Sequence, residues 1–498
     1  MQFSIADTIA ARCKAHPEKT AFQSVEHGTE MTYGEVWKRI CGLVDVVAQC
    51  REGRHGRTVG LLLPNSPDAA LAIAACQLAG VIAVPVNGRL TASEMQFIAK
   101  DADCGLILTG GELTQSAQAA FDSLEIPITR VEDISSPTHP PSPSPGHKDI
   151  GDRPVVVGYT SGTTGFPKGA IYTNDYYTMN NYRWGWAFGL TYDHVILIAG
   201  PMFHISYAGF ALAGLSIGCR VRIMENFQPG VALEELKNHC SFSFLVPSML
   251  AMIVEKWEKL GRPALDSARH VLSAGAPASL ELLRTAMQMF PNARIAEMYG
   301  WTEGTFVAYE IKDPATLQAN CVGWPAIGAD VAVFGPDGEV LGIGEAGEVG
   351  ARSGVAFAGY LGNPEATNAA MHKGYIMSGD VGRWLPDGRL CIVDRTRDVI
   401  ISGGENIYTA EIERVLLEHP EVHEAAVVGL ADAKWGEIVA ALLVCDGSSV
   451  PDSEAVINFC RESLAGFKLP RRIQFVSELP RNSMGKVQKF KAVEMFKP

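Results

Sequence analysis

Short runs of β-branched and other apolar residues alternate along this chain with longer stretches whose apolar positions recur at helical spacing. Residues 155–158, 195–199, 221–224 and 243–246 are of the first kind, and residues 231–239 and 279–290 of the second. Strands separated by helices predict an α/β architecture with largely parallel sheets. The most apolar stretch, residues 69–86, is interrupted by Gln77, Gly80 and Pro85, and it barely reaches the ~20 residues that a bilayer requires. It reads instead as a buried helix capped by Ser66, opened by Pro67 and closed by Gly80, with a buried strand over residues 81–86 after it.

The pattern changes at two places. Residues 135–147, rich in Pro and Ser, hold no regular period and predict a surface connector. Near Arg395 a fresh α/β pattern begins, with a helix over residues 409–419 and strands over residues 425–430 and 438–444. We therefore expect a large N-terminal domain over residues 1–396 and a small C-terminal α+β domain over residues 397–498.

Composition narrows the function classes. The 498 residues include 50 glycines, where average usage gives about 35, so tight turns or close backbone approaches to a ligand are expected. Lys and Arg number 42 against 55 Asp and Glu, a net charge of −13, which excludes a protein whose main task is coating nucleic acid or anionic membrane. Within that total, residues 461–498 hold nine Lys/Arg against three Glu, a basic end that either steers phosphates or is a solvated face. The 11 cysteines are odd in number and include no C-x-x-C pair, so reduced thiols serving as core filler are expected rather than a disulfide framework or a zinc site. No secretory signal is visible, and a cytoplasmic address is the default.

The chemistry concentrates in Tyr159-Thr-Ser-Gly-Thr-Thr-Gly-Phe-Pro-Lys-Gly169. Its glycines let backbone approach an anion, Thr160, Ser161, Thr163 and Thr164 offer hydroxyl donors, Gly162 opens the turn, and Lys168 adds a cation. That is a polyphosphate loop, but not a Walker A loop, because Pro167 precedes the lysine and Gly169 follows it.

This loop resembles the signature of the adenylate-forming superfamily, and further segments follow in that family's order. They are Ser273-Ala-Gly-Ala-Pro277, Glu297-Met-Tyr-Gly-Trp-Thr-Glu303, Tyr375-Ile-Met-Ser-Gly-Asp380, Asp394-Arg-Thr-Arg-Asp398, Ser402-Gly-Gly-Glu-Asn-Ile-Tyr408 and Pro480-Arg-Asn-Ser-Met-Gly-Lys486. Thr409 departs from the pattern, since relatives usually carry Pro there. The general similarity is to 4-chlorobenzoate and fatty acid CoA ligases.

The resemblance implies a set of roles. Gly275, Ala276, Pro277, Glu297, Met298, Tyr299 and Gly300 would line the nucleotide site, Thr302 would donate to the phosphates, and Glu303 would hold Mg²⁺. Asp380 would bind the ribose hydroxyls, Arg395 ribose or phosphate, and Ile392 would pack near the nucleotide or serve only as core. Lys486 would bridge the attacking carboxylate and the α-phosphate. The small domain would be mobile, turning about Arg397 so that Gly403 and Gly404 admit the pantetheine arm of CoA, with Trp435 beside it or simply packed.

His204 is expected beside the acyl pocket, as a catalytic residue that shifts with the carboxylate or as a structural one. Trp184 and Trp186 would line the same pocket, which suggests an apolar, aromatic or medium-to-long-chain acid. Arg183, in the same run, leaves open a second carboxylate or another polar group on the acid. The expected activity is an AMP-forming acid:CoA ligase using ATP, Mg²⁺ and coenzyme A. Only twelve residues follow Lys486, which favours free CoA over an attached carrier arm. The alternatives are a stand-alone adenylation enzyme loading a carrier protein and a catalytically inactive nucleotide-binding regulator. The sequence leaves a homodimer open.

Overall fold

The two most apolar segments become helices buried on almost every side. Pro67–Ala79 is one of them, closed by Gly80 in the left-handed region at φ 74°. Ile205–Ile217 is the other, closed by Gly218 at φ 104°. Strand Ile82–Pro85 follows the first, as expected. Ser66 occupies the N-cap position, but its side chain makes no cap hydrogen bond. Its backbone carbonyl accepts from Ala69 N at 3.2 Å instead.

These elements belong to a computed structural model that describes residues 4–51, 57–135, 150–160, 167–276, 278–318, 320–353, 357–395, 399–445, 451–480, 487 and 489–496. The chain divides into two compact units. One comprises residues 1–88, 98–159 and 169–394; the other comprises residues 89–97, 160–168 and 395–498.

A six-stranded sheet runs in the order Ile128–Arg130, Cys104–Thr109, Thr58–Leu62, Ile82–Pro85, Pro154–Thr160, Lys168–Thr173. A 14-stranded mixed sheet has a parallel centre, in which Arg294–Tyr299, His270–Ala274, Phe242–Leu245, Val195–Ile198 and Arg220–Ile223 lie side by side. The strands from Ala308–Ile311 onward extend it in antiparallel fashion. Their periods are short and their turns glycine-rich, so the parallel pattern of the sequence stops where hairpins become possible.

In the second unit, Val422–Asp432 and Gly436–Cys445 form a long hairpin within a five-stranded sheet. Helix Thr409–Leu417 lends Ile412, Val415 and Leu416 to its core. No helix among the described residues is long and apolar enough to cross a membrane.

One pair departs from the reduced thiols expected of most cysteines. Cys321 and Cys391 face each other across two antiparallel strands and are joined by a disulfide. Eight further cysteines are free thiols, and all eight are buried. A sequence separation of 70 residues carries no spacing signal, because the pairing depends on strand register alone.

Candidate active site

The two segments expected to hold nucleotide are the carboxyl ends of neighbouring parallel strands. Ser273 pairs with Glu297 and Ala274 with Met298, so residues 274–276 and 298–303 leave the sheet side by side. The carboxyl edge of parallel strands is where open α/β sheets take ligands. Gly275 turns there at φ 87°.

The turn after Tyr299 is held tightly. A Cβ on Gly300 would lie 1.5 Å from the Thr305 carbonyl oxygen, so no side chain fits. Thr305 itself is left-handed at φ 51°, and its N–H donates to the Trp301 carbonyl at 2.6 Å. Tyr172 Oη donates to the Thr302 carbonyl at 2.8 Å, and Tyr176 Oη to the Glu303 carbonyl at 2.8 Å. Tyr360 Oη donates to Glu303 Oε1. Burial pushes the Tyr172 and Tyr176 phenols above their ordinary range, which keeps both as donors. The three tyrosines were not legible in the sequence, where nothing marks a Tyr as an anchor of a distant turn.

Asp380 joins this group, because Tyr299 Oη donates to Asp380 Oδ2 at 2.8 Å. Ser378 Oγ accepts from Asp380 N at 3.0 Å, and Gly379 between them is left-handed at φ 76°. Ile392 is half-buried on the strand Leu390–Arg395, with its N–H on the Asn320 carbonyl at 2.9 Å. The Arg395 side chain lies outside the described residues.

Glu297 is brought to the edge but turned inward. Its Oε1 accepts from Ala278 N at 3.2 Å, and its Oε2 pairs with Lys312 Nζ at 2.8 Å. Lys312 also bonds Glu310 at 2.7 Å and the Cys321 carbonyl at 2.5 Å. Glu310 in turn pairs with Arg389 at 2.9 Å. The Glu297 carboxylate is therefore committed to a buried ionic ladder and fixes the strand end. Its place at the strand end leaves any part in lining the nucleotide site to its backbone.

Trp184 and Trp186 separate. Trp184 is buried and stacks on Phe210 at 4.4 Å, in room left by Gly209, whose Cβ would lie 2.5 Å from the indole. Trp186 is 61% exposed and is not brought to the interior. Residues two apart on a helix point about 200° from each other, so one face cannot carry both. His204 is half-buried at the N-cap of Ile205–Ile217, its ring 4.6 Å from Phe203.

Of the phosphate loop, Ser161, Gly162, Thr163 and Thr164 lie outside the described residues. The arms that carry the loop are described. Thr160 Oγ1 donates to the Lys168 carbonyl at 3.5 Å. A Cβ on Gly169 would lie 2.7 Å from Val157, so the glycine permits the two strands to close. Pro277, Arg397 and Lys486 also lie outside the described residues.

In the second unit Gly403 and Gly404 are both left-handed, at φ 59° and 85°. Gly403 N donates to the Trp435 carbonyl at 2.9 Å, and its Cβ would come 3.0 Å from the indole. Arg471 and Lys434 lie over that ring at 4.6 and 5.0 Å. The structure thus brings the predicted glycines and tryptophan together, and it adds a basic flank from Arg471.

Comparisons with known proteins agree with this arrangement. The family model described as AMP-binding enzyme matches residues 9–361, and that described as AMP-binding enzyme C-terminal domain matches residues 411–486. The chain is 33% identical to a feruloyl-CoA synthase of Amycolatopsis sp over 488 residues, covering 96% of each protein. It is 31% identical over 494 residues to the long-chain-fatty-acid–CoA ligase FadD13 of Mycobacterium tuberculosis, covering 96% of this chain and 95% of that one. Among solved structures, the amide bond synthetase McbA from Marinactinospora thermotolerans superposes with a TM-score of 0.90 at 27% identity, over 100% of both chains. The chain belongs to the AMP-binding enzyme family, and within it to the adenylate-forming acyl-CoA ligases.

Proposed function

We propose that this protein is an AMP-forming acid:CoA ligase that converts an apolar aromatic or medium-to-long-chain carboxylic acid and ATP to an acyl-adenylate, then passes the acyl group to CoA. The observation that carries the reading is the tyrosine-anchored Glu303 turn at the carboxyl ends of parallel strands, in a chain that matches both parts of the family.

A carboxylate is a poor acyl donor because oxide would have to leave. Attaching AMP replaces that with a stable phosphate anion. The carboxylate is already the nucleophile, so the site has to position it and stabilise charge rather than remove a proton. In this reading Thr160, Lys168 and Thr302 hold phosphates, Asp380 takes the ribose hydroxyls, and Lys486 stabilises the attacking carboxylate and the α-phosphate. His204 and Trp184 flank the acid.

Glu303 would hold Mg²⁺, whose chemistry is to neutralise phosphate charge. One carboxylate fits that ion, which takes one or two beside phosphates and water, and no cluster of three or more His, Cys, Asp or Glu exists among the described residues. Gly403, Gly404 and Trp435 would flank the pantetheine arm. We keep the domain division at residues 396 and 397, with rotation about Arg397 between the two half-reactions. A cytoplasmic address completes the reading, with monomer and homodimer both open to it; fractionation checks the first and light scattering separates the other two.

A second reading is favoured by one observation, the TM-score of 0.90 to an amide bond synthetase: the same adenylate would then meet an amine. One assay separates the readings. The protein is given ATP, Mg²⁺ and a panel of acids, and pyrophosphate, AMP and acyl products are followed with CoA, with an amine or with a carrier protein. Acyl-CoA is the expected product. Amide instead of thioester would favour the amine acceptor, transfer only to a carrier would favour carrier loading, and no pyrophosphate with any acid would favour the inactive regulator.

A further inference from the structure

Arg183, Arg222, Lys312, Arg389 and Lys468 are the buried lysines and arginines among the described residues. Four of them have carboxylate partners. Arg222 is bidentate to Glu235, Lys312 meets Glu297 and Glu310, Arg389 meets Glu310 and Asp387, and Lys468 meets Glu94 and Glu411. Arg183 is 3% exposed and has no acidic partner among the described residues. Its Nη2 donates to the Phe306 carbonyl at 2.8 Å, its guanidinium lies 5.5 Å from the Phe306 ring, and its Nε has no hydrogen-bond partner. Burial pulls its pKa down, yet a guanidinium does not give up its proton in proteins.

A charge that is buried, permanent and without a counterion is costly unless something else neutralises it. Arg183 lines a small cleft with Tyr176, Phe306, Val307 and Ile376, in which the other cation, Arg352, is exposed and paired with Asp330, so Arg183 is the one buried cation there. Tyr176 also anchors the Glu303 turn through its hydroxyl, so the cleft adjoins the turn on which the chemistry depends. Arg183 precedes Trp184 on the helix Asn174–Phe188, the element assigned above to the acid pocket.

We propose that Arg183 forms an anion subsite of the acid pocket, so that the preferred acid carries a second carboxylate at the end remote from the one activated. This rests on the ligase reading and narrows it. The body of the acid stays apolar, as the cleft walls require, and its far end pairs with the guanidinium.

The test uses the full-length protein with adipate, suberate and 4-carboxycinnamate, each against its monomethyl ester, and follows acid-dependent pyrophosphate release. The wild type is expected to use at least one diacid with a kcat/KM about tenfold or more above its ester, the worth of one charge-assisted hydrogen bond. In Arg183→Met that ratio collapses or reverses, chiefly through KM of the diacid, and Arg183→Lys recovers part of it. A general structural role would lower diacid and ester together and leave the ratio where it was.

Esters used as well as diacids by the wild type would overturn the proposal while leaving the ligase reading intact, and this comparison needs no variant to fold. A variant that raises KM for ATP without moving the diacid-to-ester ratio would assign the guanidinium to a nucleotide phosphate, which also overturns it. No pyrophosphate with any acid would remove the ligase reading and the subsite with it.

Discussion

The ionic ladder beneath the strand ends and the turn above it treat charge in opposite ways. In the ladder, Glu297, Lys312, Glu310 and Arg389 are all buried, and each is matched to an opposite charge within 2.9 Å. Beside the turn, Glu303 is met by the neutral Tyr360 hydroxyl, and Arg183 by the Phe306 carbonyl. Neither has an oppositely charged partner among the described residues. Among the described residues, the buried ladder is neutralised by its own side chains while one anion and one cation beside this turn are not, which is where the proposed reading puts the ligands. In the proposed reading, Glu303 meets a cation bound with phosphates and Arg183 an anion on the acid.

The sharpest way to break this comparison is to delete one cation from each side. Lys312→Met leaves two buried carboxylates without their lysine and is expected to destabilise the protein by about 3–5 kcal/mol, with weaker ATP use as Glu297 loses its hold. Arg183→Met removes a charge that has no counterion among the described residues and should change stability by no more than about 1 kcal/mol without ligand. Urea midpoints of the two variants decide the matter, since equal losses would mean that Arg183 is as well matched as Lys312.

A smaller effect sharpens the Glu303 side. Tyr360→Phe removes a neutral donor and no charge, so stability should fall by about 1 kcal/mol and pyrophosphate release by roughly fivefold. The cost should be largest when Mg²⁺ is scarce. A variant indifferent to Mg²⁺ concentration would detach Glu303 from the metal.

The smallest effect concerns an over-matched cluster, Lys468 between Glu94 and Glu411 at 2.6 and 2.7 Å. Two carboxylates share one lysine, and burial pushes the Glu411 pKa up to about 7 while Glu94 is held low by Lys468 and its other hydrogen bonds. A carboxyl whose folded pKa exceeds its unfolded value stabilises the protein most at low pH, and that share is lost as pH rises from about 4.5 to about 7. Glu411→Gln should therefore flatten the fall in stability across this window. An unaltered profile would show that another group titrates there.

Much of this site was legible because its chemistry is contiguous. The Gly and hydroxyl run before Lys168 and the Glu297–Glu303 segment are contiguous in sequence, and the alternation of strands and helices puts the second of them at a sheet edge. What stayed hidden depends on tertiary register. Tyr172, Tyr176 and Tyr360 act on a turn far away in sequence, Lys312 matters through Glu297, and the Cys321–Cys391 pairing follows from strand register. Arg183 is the one charge in the aromatic run 180–189, but its want of a carboxylate among the described residues could be seen only with the chain folded. Trp186 is the opposite case, because helical geometry alone separates it from Trp184.

The central claim is that a substrate carboxylate attacks the α-phosphorus of ATP before any thiol is acylated. It is tested most directly by supplying an accepted acid labelled with ¹⁸O in its carboxylate, together with ATP, Mg²⁺ and CoA, and weighing the nucleotide and the thioester. The account predicts AMP bearing one labelled oxygen and an acyl-CoA that keeps the other. Unlabelled AMP, or ADP with label in orthophosphate, would contradict it.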